Sequence, residues 1–258
     1  MTETDSSIDF RLGMIGKRLK NVKRLLLVLS GKGGVGKSVV SATLAAQLAA
    51  SGHKVGLMDA DIYGPSSALL FGTKSLPQER QGGLVPPVSK GVKIMSVDLF
   101  ASGKPIPITG YGARQVVLEL LALTDWGKLD FLIVDMPPAT GDIMLTLTSL
   151  GKKDMAALVV TMPDRLSTTV AHRVLELLHS GRIPCAGVLE NMRRDRDRPG
   201  MAAGETPKDL AREFDVPFLG FLHYDPRVAR AIGRNDVAGL LSTKFASELR
   251  RSTRAMVE

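Results

Sequence analysis

The sequence predicts an α/β fold: a doubly wound, mainly parallel sheet with helices on both faces. Leu25–Ser30 is a continuous apolar run that ends at glycines, which is typical of a strand buried on both faces. Ser38–Ser51 then carries Ala and Leu at helical spacing, and Lys54–Asp59 is predicted to be the next strand. Together these segments make a βαβ unit, from which parallel sheets are built.

The alternation of strands and helices continues along the rest of the chain. Further strands are predicted at Val92–Asp98, Phe131–Asp135, Ala156–Thr161, Cys185–Glu190 and near Phe218–Phe221. Helices are predicted at Ala113–Leu123, at Thr168–Ser180, near Pro207–Phe214 and in the C-terminal segments. Residues 75–91, rich in Gly and Pro, are expected to form a loop or a short hairpin. Such a chain binds its ligands at the carboxyl ends of the strands.

The domain organisation predicted for the 258 residues is simple. No internal repeat and no long linker divides the chain, so residues 25–258 are expected to form a single domain, preceded by an extension over residues 1–24. Phe10–Arg24 has scattered apolar residues among Lys and Arg and is expected to form a short lead-in helix. The sequence leaves open whether this helix rests on the sheet or reaches outward.

Composition and charge limit the classes of protein to which this chain can belong. Hydrophobic residues make up 44% of the chain, which is enough for a globular core. The net charge of +8 favours anionic partners, whether a nucleotide, a nucleic acid or a membrane surface. The single cysteine excludes an internal disulfide and fits a reducing compartment. Residues 1–24 lack the apolar segment of a signal peptide, and no run approaches the ~20 apolar residues of a membrane span. We therefore predict a soluble, cytoplasmic protein.

A glycine-rich motif lies between the first strand and the first long helix. It matches the pattern G-x-x-x-x-G-K-[ST] over Gly31, Lys32, Gly33, Gly34, Val35, Gly36, Lys37 and Ser38, and Val39 follows it. Glycines let backbone N–H groups cradle phosphate oxygens, and the N-terminus of the helix adds partial positive charge. We expect residues 31–39 to bind ATP, with Lys37 at the β- and γ-phosphates and the Ser38 hydroxyl on Mg²⁺.

The second lysine of the motif, Lys32, lies five residues before Lys37 and cannot easily serve the same phosphate from the same direction. Two interpretations stay open at this point. Lys32 is either offered to the nucleotide of another subunit, as an arginine finger is, or it is a solvated surface lysine.

Three aspartates follow predicted strands at the same edge of the sheet. Asp135 ends an apolar strand, where its carboxylate is expected to hold Mg²⁺ directly or through water. Asp59 and Asp61 end the second strand, one residue apart. Asp59 is expected either to support the following loop or to cap the end of the strand.

Three segments together resemble a known family. Gly31–Ser38 resembles the deviant Walker A motif of the MinD/ParA superfamily, and residues 58–66 and 134–142 narrow the resemblance to the Mrp/ApbC ATPases. It runs from about Lys23 to Asp236. It implies a single doubly wound domain that dimerises with ATP at the interface and takes part in carrying and assembling iron–sulfur clusters. By the same resemblance, Lys32 reaches the partner subunit's nucleotide, and Asp61 orients the attacking water and belongs to the metal site.

The binding site for the base is expected near the ends of two later strands. Asn191 ends one of them, and its amide can both donate to and accept from adenine. The family resemblance supports this role. Asp225 and Pro226 follow the next strand and are expected to line the same pocket.

The sequence departs from the family pattern where cluster-carrying members have a C-x-x-C pair, after the strand of Asn191. Residues 192–200 contain no cysteine, and two such pairs across a dimer would be needed to ligate one [4Fe–4S] cluster. Cys185 lies in an apolar strand, where a buried structural thiol is the expected role. The iron–sulfur part of the resemblance is therefore doubtful.

Three hypotheses for function remain. The first is a cluster carrier or assembly factor that binds its cluster weakly, through other ligands, or on a partner protein. The second is an ATP-gated homodimeric switch whose Arg/Asp loop, residues 193–198, docks a protein partner. The third is a positioning ATPase that acts on DNA or a membrane surface. In each case, hydrolysis is expected to be slow unless a dimer or a partner stimulates it.

Overall fold

A computed structural model of the chain describes residues 4–101, 110–138, 143–144, 147, 154–194 and 206–257. Its centre is an eight-stranded sheet. In chain order, the strands of the protein are β1 (Val22–Leu29), β2 (Val55–Asp59), β3 (Gln78–Arg80), β4 (Gly83–Val85), β5 (Val88–Ser89), β6 (Val92–Ser96), β7 (Leu129–Asp135), β8 (Met155–Thr161), β9 (Cys185–Arg193) and β10 (Phe218–His223). The central sheet has the order β10-β9-β8-β1-β7-β2-β6-β5, while β3 and β4 form a separate hairpin.

All neighbouring strands of the central sheet are parallel except β5 and β6 at one edge. The inner strands are almost entirely buried, as expected for strands covered on both faces. The hairpin β3–β4 falls within residues 75–91, so the hairpin is the alternative that the chain adopts there.

Helices cover both faces of the sheet. Those whose bounds fall among the described residues are α1 (Thr4–Leu19), α2 (Lys37–Ala50), α3 (Ser67–Leu70), α4 (Asp98–Ala101), α5 (Gly110–Leu123), α6 (Arg165–Ser180), α7 (Pro207–Glu213), α8 (Pro226–Gly233), α9 (Val237–Leu241) and α10 (Lys244–Val257). One core cluster joins the sheet to α1, α5, α6 and α7, and the other joins it to α2, α8, α9 and α10. This arrangement confirms the predicted doubly wound fold.

The predicted elements are present with small shifts at their ends. The first strand begins at Val22 instead of Leu25, and β9 continues to Arg193, three residues beyond its predicted end. The lead-in helix is α1, which packs against α5 and buries Ile15 and Leu19 in the core, so it lies on the body of the protein. The division of the chain at residue 24 stays a prediction. Among the described residues, no helix combines the length and the apolarity that crossing a membrane requires.

The order of the strands positions the functional site. β1 lies between β8 and β7, and the chain leaves it toward β2 on one side and returns later to β8 on the other. The carboxyl ends of β1, β7 and β2 therefore meet at one edge, where the motif of residues 31–38 and two of the predicted aspartates are found.

Candidate nucleotide-binding site

The loop between β1 and α2 has the backbone of an anion-binding cradle. Gly34 and Gly36 have φ angles of 81° and 84°, in the left-handed region that glycine adopts without strain. Gly36 is the N-cap of α2, and no side chain caps that end of the helix. The first N–H groups of α2 thus have no side-chain acceptor, as an anion-binding helix N-terminus requires.

Gly31 is required for a different reason, because it lies against α6. A Cβ atom at this position would lie 2.5 Å from both the backbone carbon and the carbonyl oxygen of Val170. The loop is therefore held against α6 by backbone contact, and a side chain there would push the two apart.

Lys37 and Asp135 form a buried ion pair at the base of the loop. The Lys37 Nζ donates to Asp135 Oδ1 at 2.6 Å, and the two residues are 6% and 0% exposed. The Ser41 hydroxyl also donates to Asp135 Oδ1, at 3.0 Å. The other oxygen, Asp135 Oδ2, is buried without a hydrogen-bond partner among the described residues. Ser38 belongs to the same group, because its Oγ lies 3.5 Å from Lys37 Nζ.

Asp59 is fully buried at the end of β2, directly opposite Asp135 in the register of β2 and β7. It accepts backbone N–H groups of Asp61, Ser66 and Ser67 at 3.1, 2.8 and 2.9 Å, which is the loop-supporting role that the sequence left open. Burial, together with the negative charge of Asp135, raises the pKa of Asp59 to about 6.

Asp61 forms a tight turn at the same edge of the sheet. Its Oδ1 accepts the backbone N–H groups of Tyr63 and Gly64 at 3.3 and 3.1 Å, and the residue is only partly buried. The structure therefore brings Asp61 to the predicted edge, while its roles toward water and metal stay predictions.

Lys32 is ion-paired instead of free in solvent. Its Nζ lies 3.5 Å from Oδ1 of Asp164, the N-cap of α6, which also accepts the Ser167 backbone N–H at 2.9 Å. Burial raises the pKa of Asp164, but the hydrogen bonds from Ser167 and the charge of Lys32 outweigh it, so the pKa lies below its usual value. Asp164 was not among the predicted site residues, although an aspartate before a predicted helix is an N-cap signal.

A pocket of about 140 Å³ opens beside α2. Its lining includes Gly36, Val39, Asn191, Met192, His223 and Asp225. Asn191 is buried, and its Nδ2 donates to the Val35 carbonyl at 2.8 Å, so the predicted base-binding residue directly contacts the glycine-rich loop between β1 and α2, called the phosphate loop below. Gly36, Asn191 and Asp225 are thus brought together, although they are far apart in the sequence.

Asp225 and Pro226 begin α8. The Asp225 carboxylate pairs with Arg227, with an Oδ2 to Nη2 distance of 2.8 Å, and this pairing together with further N–H donors lowers its pKa to about 2. Pro226 takes the first helical position, where a missing N–H costs no hydrogen bond. Both residues were predicted to line the pocket. Asp225 is among the described residues that line it, and Pro226 is not.

Cys185 begins β9 as a partly buried thiol. Its Sγ lies 3.7 Å from the Gly187 carbonyl, and burial raises its pKa to about 11. The described residues contain no cluster of three or more His, Cys, Asp or Glu side chains suited to a metal ion. Arg193 pairs with Glu190 and stacks over Phe221, while residues 195–198 of the Arg/Asp loop lie outside the described residues.

Comparison with known proteins agrees with this geometry. The family model described as "ParA: NUBPL iron-transfer P-loop NTPase" matches residues 21–257. The chain belongs to this NUBPL iron-transfer P-loop NTPase family. The match confirms the resemblance to the Mrp/ApbC ATPases inferred from the three motifs.

Curated relatives of this family carry the name iron-sulfur cluster carrier protein. The protein from Rickettsia conorii is 35% identical over 218 residues, which cover 84% of this chain and 66% of the relative. The chain thus spans just under two thirds of the length of that relative. The protein from Methanocaldococcus jannaschii is 32% identical over 256 residues, covering 95% of this chain and 87% of the relative.

Solved structures show the same fold. A nucleotide-binding protein from Archaeoglobus fulgidus, solved in complex with ADP, superposes with a TM-score of 0.71 at 29% identity and covers 88% of this chain and 92% of its own. The septum site-determining protein MinD from Pyrococcus horikoshii, complexed with Mg-ADP, has a TM-score of 0.66 at 22% identity, covering 90% and 95%. At that identity the likeness to MinD concerns the fold alone.

Proposed function

We propose that this member of the NUBPL family binds Mg²⁺ and ATP and hydrolyses ATP slowly, as a switch that closes into a homodimer. The single observation that carries the proposal is the buried Lys37–Asp135 pair below the uncapped N-terminus of α2. A buried lysine at that point is positioned to exchange its carboxylate for phosphate oxygens, with the helix N-terminus as the second source of positive charge.

The residues of the site also suit a magnesium ion. Asp135 Oδ2 is a buried acceptor without a partner among the described residues, and Mg²⁺ prefers oxygen ligands. Ser38 and Asp135 would hold the ion, with Asp61 nearby at the same edge. When bound, Mg²⁺ would neutralise charge on the phosphates. The protein itself contributes the loop amides, the Lys37 charge and the loop order that Asp59 imposes.

Dimerisation is proposed to complete the site through Lys32. In the single chain this lysine is held by Asp164 at the start of α6, not by Asp135 or another group of the phosphate loop. Lys32 therefore belongs to the outer edge of the site, where a second subunit would meet it. Hydrolysis by isolated chains is accordingly expected to be slow.

The cargo of this switch is proposed to be an iron–sulfur cluster that is ligated mainly by a partner. Family membership supports the connection to clusters, but the chain has a single cysteine, and its thiol is partly buried with a raised pKa. Two copies of Cys185 provide two of the four thiolates that a [4Fe–4S] cluster takes. A protein partner or client is therefore proposed to supply the others. A cytoplasmic location, and contacts with nucleic acid or membrane, stay predictions.

The switch is tested by measuring ATP binding with Mg²⁺ or with EDTA, and phosphate release over a hundredfold range of protein concentration. We expect tight binding that requires Mg²⁺, and a rate per chain that rises with concentration as dimers form. A rate independent of concentration across a range where sedimentation shows monomer turning into dimer would contradict the dimer. Absence of ATP binding would contradict the whole proposal.

The cluster is tested separately, by iron and sulfide content after anaerobic reconstitution, with and without ATP, for wild type and Cys185→Ser. We expect no stoichiometric cluster on the isolated chain in either protein. One cluster per dimer that disappears in Cys185→Ser would contradict ligation by a partner and would show that this chain completes the site itself.

A further inference from the structure

The pocket beside α2 contains an aspartate whose carboxylate is fully occupied. Asp225 Oδ1 accepts the backbone N–H and the Nε–H of Arg227 at 3.0 and 3.1 Å. Asp225 Oδ2 accepts Arg227 Nε–H and Nη2–H at 3.2 and 2.8 Å, and the Lys244 backbone N–H at 3.1 Å. An ionised carboxylate has about four lone-pair sites, so none is left for a ligand.

Asn191 also lines the pocket, and it is oriented by the phosphate loop. Its Nδ2 donates to the Val35 carbonyl, and its Oδ1 has no hydrogen-bond donor among the described residues. Asn191 thus lines the pocket with an amide oxygen that receives no hydrogen bond from the described residues, while the stronger acceptor, the Asp225 carboxylate, is closed.

The two purine bases respond differently to these groups. Adenine carries an amino group at C6, which donates to an acceptor such as Asn191 Oδ1. Guanine carries an oxygen at C6, which meets that acceptor unfavourably, and it has N–H donors on N1 and N2 that a free carboxylate would accept. An open Asp225 would therefore favour guanine, and a closed one removes the interaction that guanine needs.

We propose that Arg227 makes the base pocket selective for adenine over guanine nucleotides by closing the Asp225 carboxylate to the base. Arg227 acts as a positioning residue, since its side chain is 56% exposed and it is not among the described residues that line the pocket. Its planar guanidinium suits this role because it binds both carboxylate oxygens at once. The inference rests on the proposed binding of ATP and adds the residue that excludes guanine from the site.

The test compares dissociation constants for Mg²⁺–ADP and Mg²⁺–GDP by isothermal titration. Wild type is expected to prefer ADP at least tenfold. Arg227→Leu opens Asp225 and is expected to reduce the ADP/GDP preference about tenfold, mainly through tighter GDP binding. Arg230→Leu is the matched control, because Arg230 lies nearly one turn further on α8, is exposed, and forms no ion pair with the described residues. It should keep the wild-type ratio.

Two more variants separate selectivity from a structural effect. Arg227→Leu with Asp225→Asn keeps a residue that caps helices but removes the carboxylate, so the gain in GDP binding should vanish. Arg227→Lys keeps the charge without the planar fork, and a smaller shift in the same direction is expected. If Arg227→Leu does not fold, Arg227→Lys takes its place in the comparison with wild type.

An unchanged ADP/GDP ratio in folded Arg227→Leu or Arg227→Lys protein overturns the inference, whatever happens to the absolute affinities. Equal affinity of wild type for ADP and GDP overturns it too and leaves nucleotide binding intact. A wild-type protein that binds neither nucleotide contradicts the proposed function itself, and that failure is distinguishable from the other two.

Discussion

Asp59 and Asp135 are register partners at the last positions of β2 and β7, so two fully buried carboxylates lie side by side at the edge of the sheet. Lys37 is the cation that hydrogen-bonds to this pair, through Asp135. Asp59 is stabilised by backbone N–H groups of the loop that follows it. Lys37 and the loop after β2 are thus linked through two adjacent carboxyl groups.

The pKa of Asp59 predicts a dependence of stability on pH. The folded protein holds this proton up to about pH 6, whereas the unfolded chain releases it near 3.8. The stabilisation is therefore fully present below about pH 4 and is lost as pH rises through 6. The free energy of unfolding of Asp59→Asn, minus that of wild type, should increase over this interval by on the order of 3 kcal/mol.

The measurement is urea unfolding of both proteins without nucleotide, at several pH values from 3.5 to 7.5. The difference between the two proteins should rise and then level off above pH 7. A difference that is the same at every pH would mean that Asp59 titrates normally in the folded state, against this prediction.

Removing the buried lysine should be costly for folding as well as for binding. Lys37→Met leaves Asp135 buried without its cation, and we expect a loss of about 3–5 kcal/mol in the free energy of unfolding. Adding Asp135→Asn should recover at least half of that loss, because no uncompensated charge then remains. Chemical denaturation of the single and double variants measures the coupling directly.

Lys32→Met is the control for that experiment, since the Lys32 side chain is 30% exposed and its ion pair with Asp164 is long at 3.5 Å. Its cost should stay below about 1 kcal/mol. Equal destabilisation by the two lysine substitutions would show that burial of the Lys37–Asp135 pair does not govern stability.

Replacing two glycines of the phosphate loop should have very different effects on the free energy of unfolding. Gly31→Ala puts a methyl group 2.5 Å from the backbone of Val170, so α6 or the loop must move, and we expect a loss of about 1–3 kcal/mol. Gly33→Ala meets no atom within 4 Å and should change the free energy of unfolding by less than about 0.5 kcal/mol. Thermal unfolding of both variants checks this, and similar effects would contradict the close packing of the loop on α6.

The sequence predicted the elements of the fold because its strands are buried on both faces and therefore appear as continuous apolar runs. The phosphate loop and Asp135 could also be predicted from the sequence, because a local motif identifies the loop and Asp135 ends an apolar strand. The order of the strands could not be predicted, because crossover connections leave no local pattern in the sequence. The side-by-side placement of Asp59 and Asp135, 76 positions apart in the numbering, follows only from that order.

Contacts between segments that are distant in the chain could not be predicted from the sequence either. Asp164 contacts Lys32 across 132 positions, and Asn191 contacts Val35 across 156. Arg227 was not singled out, because an Asp-Pro-Arg sequence at a helix start indicates only an N-cap. Its closure of Asp225 depends on the side-chain geometry that the fold imposes.

The ion pair between Lys32 and Asp164 predicts how readily the proposed dimer forms. Asp164 holds Lys32 within its own chain, so this contact competes with any nucleotide offered by a second subunit. Asp164→Asn keeps an N-cap for α6 but removes the negative charge. With Mg²⁺ and a slowly hydrolysed ATP analogue, its dimerisation should be about two- to fivefold tighter than that of wild type, as expected for a weak, partly exposed ion pair.

Sedimentation velocity over a range of protein concentrations measures this effect, and Lys32→Ala completes the comparison. Lys32→Ala should bind nucleotide as a monomer within about threefold of wild type but should fail to dimerise, because it lacks the charge that we propose for contact with the second nucleotide. Asp164→Asn combined with Lys32→Ala should behave like Lys32→Ala alone, since Asp164 acts only through the lysine. Tighter dimerisation of the double variant than of Lys32→Ala would show that Asp164 opposes the dimer by a route that does not involve Lys32.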